Sequence, residues 1–292
     1  MIASLNFRFR NSPMDHIDPR TRWIFSMLLL FSLTMSWNWK MIFVLFCISL
    51  IWYCLSKLTW RDTRKGWVLV LSMLMLMIII NTLLIANNSR AITAAAGQPQ
   101  LLWPQGFKVF SRLLHSDLSV ERLWFALCQF FRVIGIAMPF VLIPYTMDPR
   151  SYGPTFSGLG LPDRLAYTIE LAFRFVPTLG HNFQVTFDAQ KARGFELENL
   201  KGGIFKKIAR FAPLLIPVTM SSIVGSEDIA NAMDLRGFGE RKRTWLYALK
   251  FHWWDYAIIA FGMVMLAVSV YAALRTPLGK FQVPAFFYRL FR

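Results

Sequence analysis

The chain has 292 residues, of which 55% are hydrophobic, and only 16% are charged, against roughly 25% in soluble domains. It carries 32 Lys and Arg against 16 Asp and Glu, a net charge of +16, yet the basic residues gather between apolar runs and no nucleic-acid-binding motif occurs. This excludes a soluble globule and argues against a nucleic-acid binder; the composition reads as an all-α integral membrane protein whose basic segments meet anionic lipid headgroups and protein partners.

The amino-terminal segment, residues 1–22, is polar and basic, without a small-residue cleavage site, so the first apolar run is expected to stay as an uncleaved span. It closes with Ile17-Asp18-Pro19-Arg20-Thr21-Arg22, where Pro19 suits the first position of a helix and Asp18 its cap. Residues 23–37 and 41–55 are apolar runs joined by Asn38-Trp39-Lys40, each shorter than the roughly 20 residues of a full span. With tryptophans at the bend they predict a tight helical hairpin. A basic loop follows at 57–65, then an uncharged span at 66–86, a polar connection at 87–120, and a fourth span at 123–145. The last clear span is 256–274, followed by an aromatic and basic tail that suits the membrane interface. The reading is about five transmembrane helices, in segments 1–22, 23–145, 146–252 and 253–292. Basic-residue bias places the amino terminus, the 57–65 loop and the 146–252 insert in the cytoplasm of a prokaryotic plasma membrane.

The insert is unusual. Residues 165–179 are apolar but carry Glu170 and Arg174, four apart on one helix face, together with Pro177. Residues 211–224 are apolar but interrupted by Pro213 and Pro217. Both read as amphipathic helices lying in or under the membrane surface, too short or too interrupted to span. A helix beginning near Ser222 would hold the paired acids Glu227 and Asp228 in its amino-terminal half, where the helix dipole favours them.

The insert also repeats itself. Ala192-Arg193-Gly194-Phe195 and Leu235-Arg236-Gly237-Phe238 each end a helix-compatible run. A glycine there adopts the left-handed conformation that stops a helix, and an arginine in the last turn is favoured by the dipole. Either these are two ordinary helix stops, or they are two planar, permanently charged forks offered together to a partner.

No phosphate-binding loop, zinc-protease helix, Cys/His ligand cluster or nucleophile elbow is present in the sequence. The four histidines are scattered, and the three cysteines (Cys47, Cys54, Cys128) lie inside apolar runs without metal or disulfide spacing. No catalytic constellation and no metal ligands stand out, and no cofactor is expected on this chain. Arg132, in the middle of the fourth span, costs on the order of 3 kcal/mol to insert, so it should face the bundle interior, in a structural hydrogen-bonding role or on a transport path.

The order of these elements resembles the transmembrane T component (EcfT/CbiQ-like) of energy-coupling factor transporters, ABC-type importers of vitamins and metal ions. The resemblance rests on Ile17 to Arg22, on Thr146-Met147-Asp148-Pro149, on Leu159-Gly160-Leu161-Pro162-Asp163-Arg164-Leu165, on Phe173-Arg174-Phe175-Val176-Pro177-Thr178-Leu179, and on the two Arg-Gly endings. It implies that Ala192, Arg193 and Gly194, and Leu235, Arg236 and Gly237, end two coupling helices whose arginines dock into two ABC ATPase subunits, a homo- or heterodimer. The second ending has Leu235 where the family pattern has Ala. ATP and magnesium would be bound by those partners, and substrate by a small membrane-embedded S component. Asp18, Pro19, Arg132, Asp148, Pro149, Arg174 and Pro177 are structural or coupling candidates. The competing readings are the substrate-translocating permease of a conventional ABC importer, whose downstream Ile-x-Leu-Pro is missing, and a membrane-embedded enzyme, for which no converging polar cluster is visible.

Overall fold

The computed structural model describes residues 12–80, 120–194, 204–240, 244–247, 249–275 and 284. Among them the secondary structure is helical, without strands. The α-helices are α1 (Pro19–Met35), α2 (Trp39–Leu55), α3 (Trp60–Ile79), α4 (Val120–Thr146), α5 (Tyr152–Gly158), α6 (Asp163–Ala192), α7 (Ile204–Leu235) and α8 (Trp253–Arg275), with short 3₁₀ turns at Pro13–His16 and Pro149–Ser151. The chain divides into two units: Arg8–Thr146 with Lys250–Arg292, and Met147–Leu249. The polar connection at 87–119, the end of the third predicted span beyond residue 80 and the tail predicted to lie at the interface fall outside the described residues, save for single position 284.

In the first unit, α1 pairs with α8 and α4, and α2 with α4. The hairpin expected at residues 23–55 is present: Asn38 caps α2 by accepting a hydrogen bond from the Lys40 N–H at 2.9 Å. Phe25, Leu29 and Leu33 of α1, Ile42, Leu45 and Trp52 of α2, Trp124, Cys128 and Leu142 of α4 and Met265 of α8 form the core. Serines on the buried faces satisfy themselves locally: Ser26, Ser32, Ser36 and Ser269 each donate to the carbonyl four residues back. Ser49 instead donates across to the Gly135 carbonyl at 2.6 Å, a close α2–α4 approach of the kind small residues permit within membranes. Gly262 does the same for α1 and α8, since a Cβ there would lie 2.8 Å from Leu28. By length and hydropathy, residues 124–146 and 253–275 are each able to cross a membrane alone, and α2 is apolar but 17 residues long.

A buried polar node joins three of these helices. Asp18 caps α1, accepting from the Arg20 N–H at 2.8 Å, with Pro19 at the first helical position as the sequence indicates. Asp255, fully buried in the first turn of α8, accepts from the Asp18 N–H at 3.0 Å and the His252 N–H at 2.9 Å. Arg22 donates to the Ile17 carbonyl at 2.8 Å and to the Thr146 carbonyl, the end of α4, at 2.6 Å. Every charge in this node is spent on backbone groups that the helix ends leave without partners.

The second unit departs from the sequence expectation. The prolines do not end helices: α6 runs 30 residues through Pro177, and α7 runs 32 residues through Pro213 and Pro217. Each proline removes one backbone bond and adds a local clash, but the turns on either side retain theirs and its fixed φ is helical. The two insert helices are thus each about 45 Å long. Glu227 and Asp228 consequently fall in the carboxy-terminal half of α7, not near its start, and both are exposed to solvent.

Replacing Asp255 by alanine leaves two buried backbone N–H groups without an acceptor, so it should cost about 2–4 kcal/mol. Asn at 255 retains one acceptor and should cost less. Thermal melts of the purified chain in detergent check both the loss and the order.

Candidate functional site

The second unit carries most of the residues singled out by the sequence, and it sorts them into two helix tips and two clefts. Both Arg-Gly endings have the same stop. At the end of α6 the Gly194 N–H donates to the Lys191 carbonyl at 2.9 Å, with Gly194 at φ 83°. At the end of α7 the Gly237 N–H donates to the Asp234 carbonyl at 2.9 Å and the Phe238 N–H to the Met233 carbonyl at 3.0 Å, with Gly237 at φ 62°. The α7 pair is a Schellman stop, which requires a left-handed residue where Cβ would be strained. Arg193 and Arg236 are both exposed.

The tips differ in their surroundings. Lys191 lies over the Phe187 ring at 4.7 Å, so the α6 tip offers two cations, one of them seated on an aromatic ring. The α7 tip presents Leu235, 90% exposed, between Asp234 and Arg236.

The sequence reading had the two endings projecting together; the structure separates them. The segment after α7 returns to the start of α6: Arg164 donates to the Gly239 carbonyl at 3.1 Å, and Tyr167 packs on Phe238 with ring centroids 4.8 Å apart. Arg236 lines a cleft of about 330 Å³ with Asp163, Arg164, Tyr167 and Glu170, all in the first turns of α6. Arg193 stands at the other end of that helix, about 44 Å along its axis. Helix continuity through Pro177, invisible in the apolar pattern, is what separates them.

Asp148, Pro149, Arg174 and Pro177 do come together, lining a second cleft of about 600 Å³ with Glu170 and Tyr247. Asp148 caps its turn through the Arg150 N–H at 2.9 Å, just as Asp18 does ahead of Pro19 and Arg20. The two Asp-Pro-Arg segments are therefore the same capping device used once in each unit. Asp18 and Pro19 belong to the buried node of the first unit. Arg132 donates to Gln129 at 3.2 Å and to the Ser36 carbonyl at the end of α1, and sits over the Trp37 ring at 5.2 Å. It meets the α1 carboxy terminus, where a cation is favoured.

Two residues escaped sequence reading. Gly153 lies so close to Glu170 and Trp245 that an added Cβ would meet the Glu170 carboxylate and come within 2.7 Å of the indole. Trp245, in the irregular stretch after α7, carries no periodic signal. Glu170 has a buried Oε2 without a hydrogen-bond partner among the described residues. Burial pushes its carboxyl above the ordinary value of 4.5, with the Arg174 charge pulling the other way. Among the described residues no group of three or more His, Cys, Asp or Glu is placed to hold a metal.

The described residues make an all-helical component with two helices apolar enough to cross a membrane and two charged helix tips, which defines an all-α membrane protein in class. The chain belongs to the CbiQ family, described as cobalt transport protein, whose profile it matches over residues 10–246. Curated relatives share the name energy-coupling factor transporter transmembrane protein EcfT. One from Lacticaseibacillus paracasei is 25% identical over 265 residues, covering 88% of this chain and 92% of its own. One from Staphylococcus aureus is 28% identical over 257 residues, covering 82% and 85%. One from Lactococcus lactis is 31% identical over 175 residues, covering 57% and 65%. The chain is accordingly a membrane T component of the energy-coupling factor type and not an enzyme.

Adding a methyl group at Gly153 (Gly153→Ala) should destabilise the second unit by about 1–3 kcal/mol through overpacking, and Glu170→Ala should recover part of the loss, as a double-mutant thermal-melt cycle would show. The raised Glu170 carboxyl has a definite pH signature. The folded state keeps its proton to higher pH than the unfolded chain, so stability falls as pH rises through the glutamate range and above it. The melting temperature of Glu170→Gln relative to the parent should therefore increase between about pH 4 and pH 7, and a pH-independent difference would contradict this.

Proposed function

We propose that this chain transmits the ATP-driven motion of two cytoplasmic ABC ATPase subunits to a small membrane-embedded substrate-binding subunit, driving uptake of a vitamin or a metal ion. The observation that carries this reading is the pair of exposed arginines at opposite ends of α6, each ending a long helix just before a left-handed glycine. A guanidinium is a rigid fork that pairs with carboxylates or carbonyls in a groove. Two forks about 44 Å apart suit one groove on each of two subunits, and do not suit two contacts to one small site.

When ATP binding closes the ATPase pair, both tips follow, and rigid α6 and α7 carry the displacement away from the nucleotide sites. ATP and magnesium stay on the ATPases; this chain contributes levers and no chemistry. The tips and the insert face the cytoplasm in this reading, in line with their basic residues. The substrate-binding subunit carries the specificity, so this chain itself holds substrate weakly or not at all. The family description and the relatives' names support the transport role; docking of the two named arginines rests on tip geometry.

Charge reversal is the direct test. Arg193→Glu or Arg236→Glu should each weaken co-purification of an ATPase, at about 2–4 kcal/mol for a lost interfacial cation, and the double variant should abolish ATP-dependent uptake while the chain still inserts and folds. Full uptake by the double variant would overturn the docking assignment.

A further inference from the structure

The first unit holds an apolar slot of about 410 Å³ that none of the foregoing uses. Its walls are Phe25 of α1, Ile48 and Trp52 of α2, and Trp254, Ile258 and Phe261 of α8. It is almost wholly apolar and lies along a helix able to cross the membrane by itself. From Trp254 to Phe261 it extends about 10 Å along α8.

All three walls end in cations on the same side. α1 begins with Arg20, five residues before Phe25; α2 is followed by Lys57, five residues after Trp52; α8 is preceded by Lys250. Lys57 and Lys250 are exposed. Arg20 leans over Phe251 at 5.1 Å and lies 3.9 Å from Asp18. Asp255 is buried and held by backbone N–H groups, and Asp18 lies beside Arg20, so the exposed charge of this rim rests on Lys57 and Lys250. Exposed Trp254 suits the level of the interface, where indoles sit between apolar chains and headgroups.

We infer that this slot is a binding site for an anionic phospholipid, one acyl chain lying between α1, α2 and α8 and the phosphate held by the rim of Lys57, Lys250 and Arg20. The apolar walls supply retention and the cations supply headgroup selectivity, since a basic residue near the surface favours anionic over zwitterionic lipid. A chain seated there covers exposed Trp254 and Phe261 and braces the α8 amino terminus that carries the buried node. A neutral amphiphile would fill the same walls without engaging the rim, and a partner helix would need no headgroup at all.

The test uses the full chain in mild detergent, with phosphatidylglycerol or phosphatidylcholine of identical acyl chains added back. Native mass spectrometry and thermal melts should show phosphatidylglycerol retained at several-fold lower concentration and raising the melting temperature more. Ala257→Trp, which fills the slot, should abolish the increment from both lipids. Lys57→Gln/Lys250→Gln, at exposed positions, should remove the preference and leave chain binding intact. Equal retention of the two lipids by the parent, or an undiminished preference in the lysine pair, overturns the inference, and the second holds even where Ala257→Trp does not fold. In native membranes, a photo-crosslinking residue at position 257 should yield an adduct of phospholipid mass; an adduct to a protein gives the slot to a partner helix and overturns it as well.

Discussion

A fully buried carboxylate, Asp255, accepting hydrogen bonds from the amino termini of two helices, is the constraint on which the rest of the chain depends. Beside it Arg22 closes the end of α4 by donating to Thr146. The chain leaves the first unit after Thr146 and re-enters it at Lys250, so both connections to the insert begin at this node. A buried charge without such partners would destabilise the fold by several kcal/mol; here each one is matched to a helix end.

The insert complements that anchor with length. Two helices of about 45 Å, each kept continuous across proline, are stiff over a distance that loops cannot hold. Their endings use one local device twice, a left-handed glycine after an arginine, and the surrounding side chains then make the tips unlike: a lysine and an aromatic ring beside Arg193, an exposed leucine beside Arg236. In the proposed cycle those differences suit two grooves that need not be identical. Near the start of α6, Gly153 packs closely on Glu170 and Trp245, a place where the insert is tightly determined although much of its apolar surface is exposed.

Much of this was legible in the sequence, and the reasons are physical. Helix caps are local, so Asp18-Pro19 and the Arg-Gly stops could be read from a few adjacent residues. The hairpin at Asn38 and the apolar character of α4 and α8 follow from composition over a single window. What escaped is what depends on distance. Proline is a strong breaker on average, and the continuity of α6 and α7 through Pro177, Pro213 and Pro217 leaves no trace in the local pattern. The separation of Arg193 from Arg236 was lost with them, as was the position of Glu227 and Asp228. Asp255 bears no local mark of its role, because its partner Asp18 is 237 residues away in sequence. Gly153 and Trp245 matter only through close approach across the insert, which no spacing rule encodes.

The most direct measurement is photo-crosslinking of the assembled transporter from position 193 and position 236 of the same chain. The account predicts a single product in which one copy of this chain is joined to two ATPase subunits at once, one from each tip. Crosslinks from both positions to one and the same subunit, or from neither to an ATPase, would contradict it and return the Arg-Gly endings to simple helix stops.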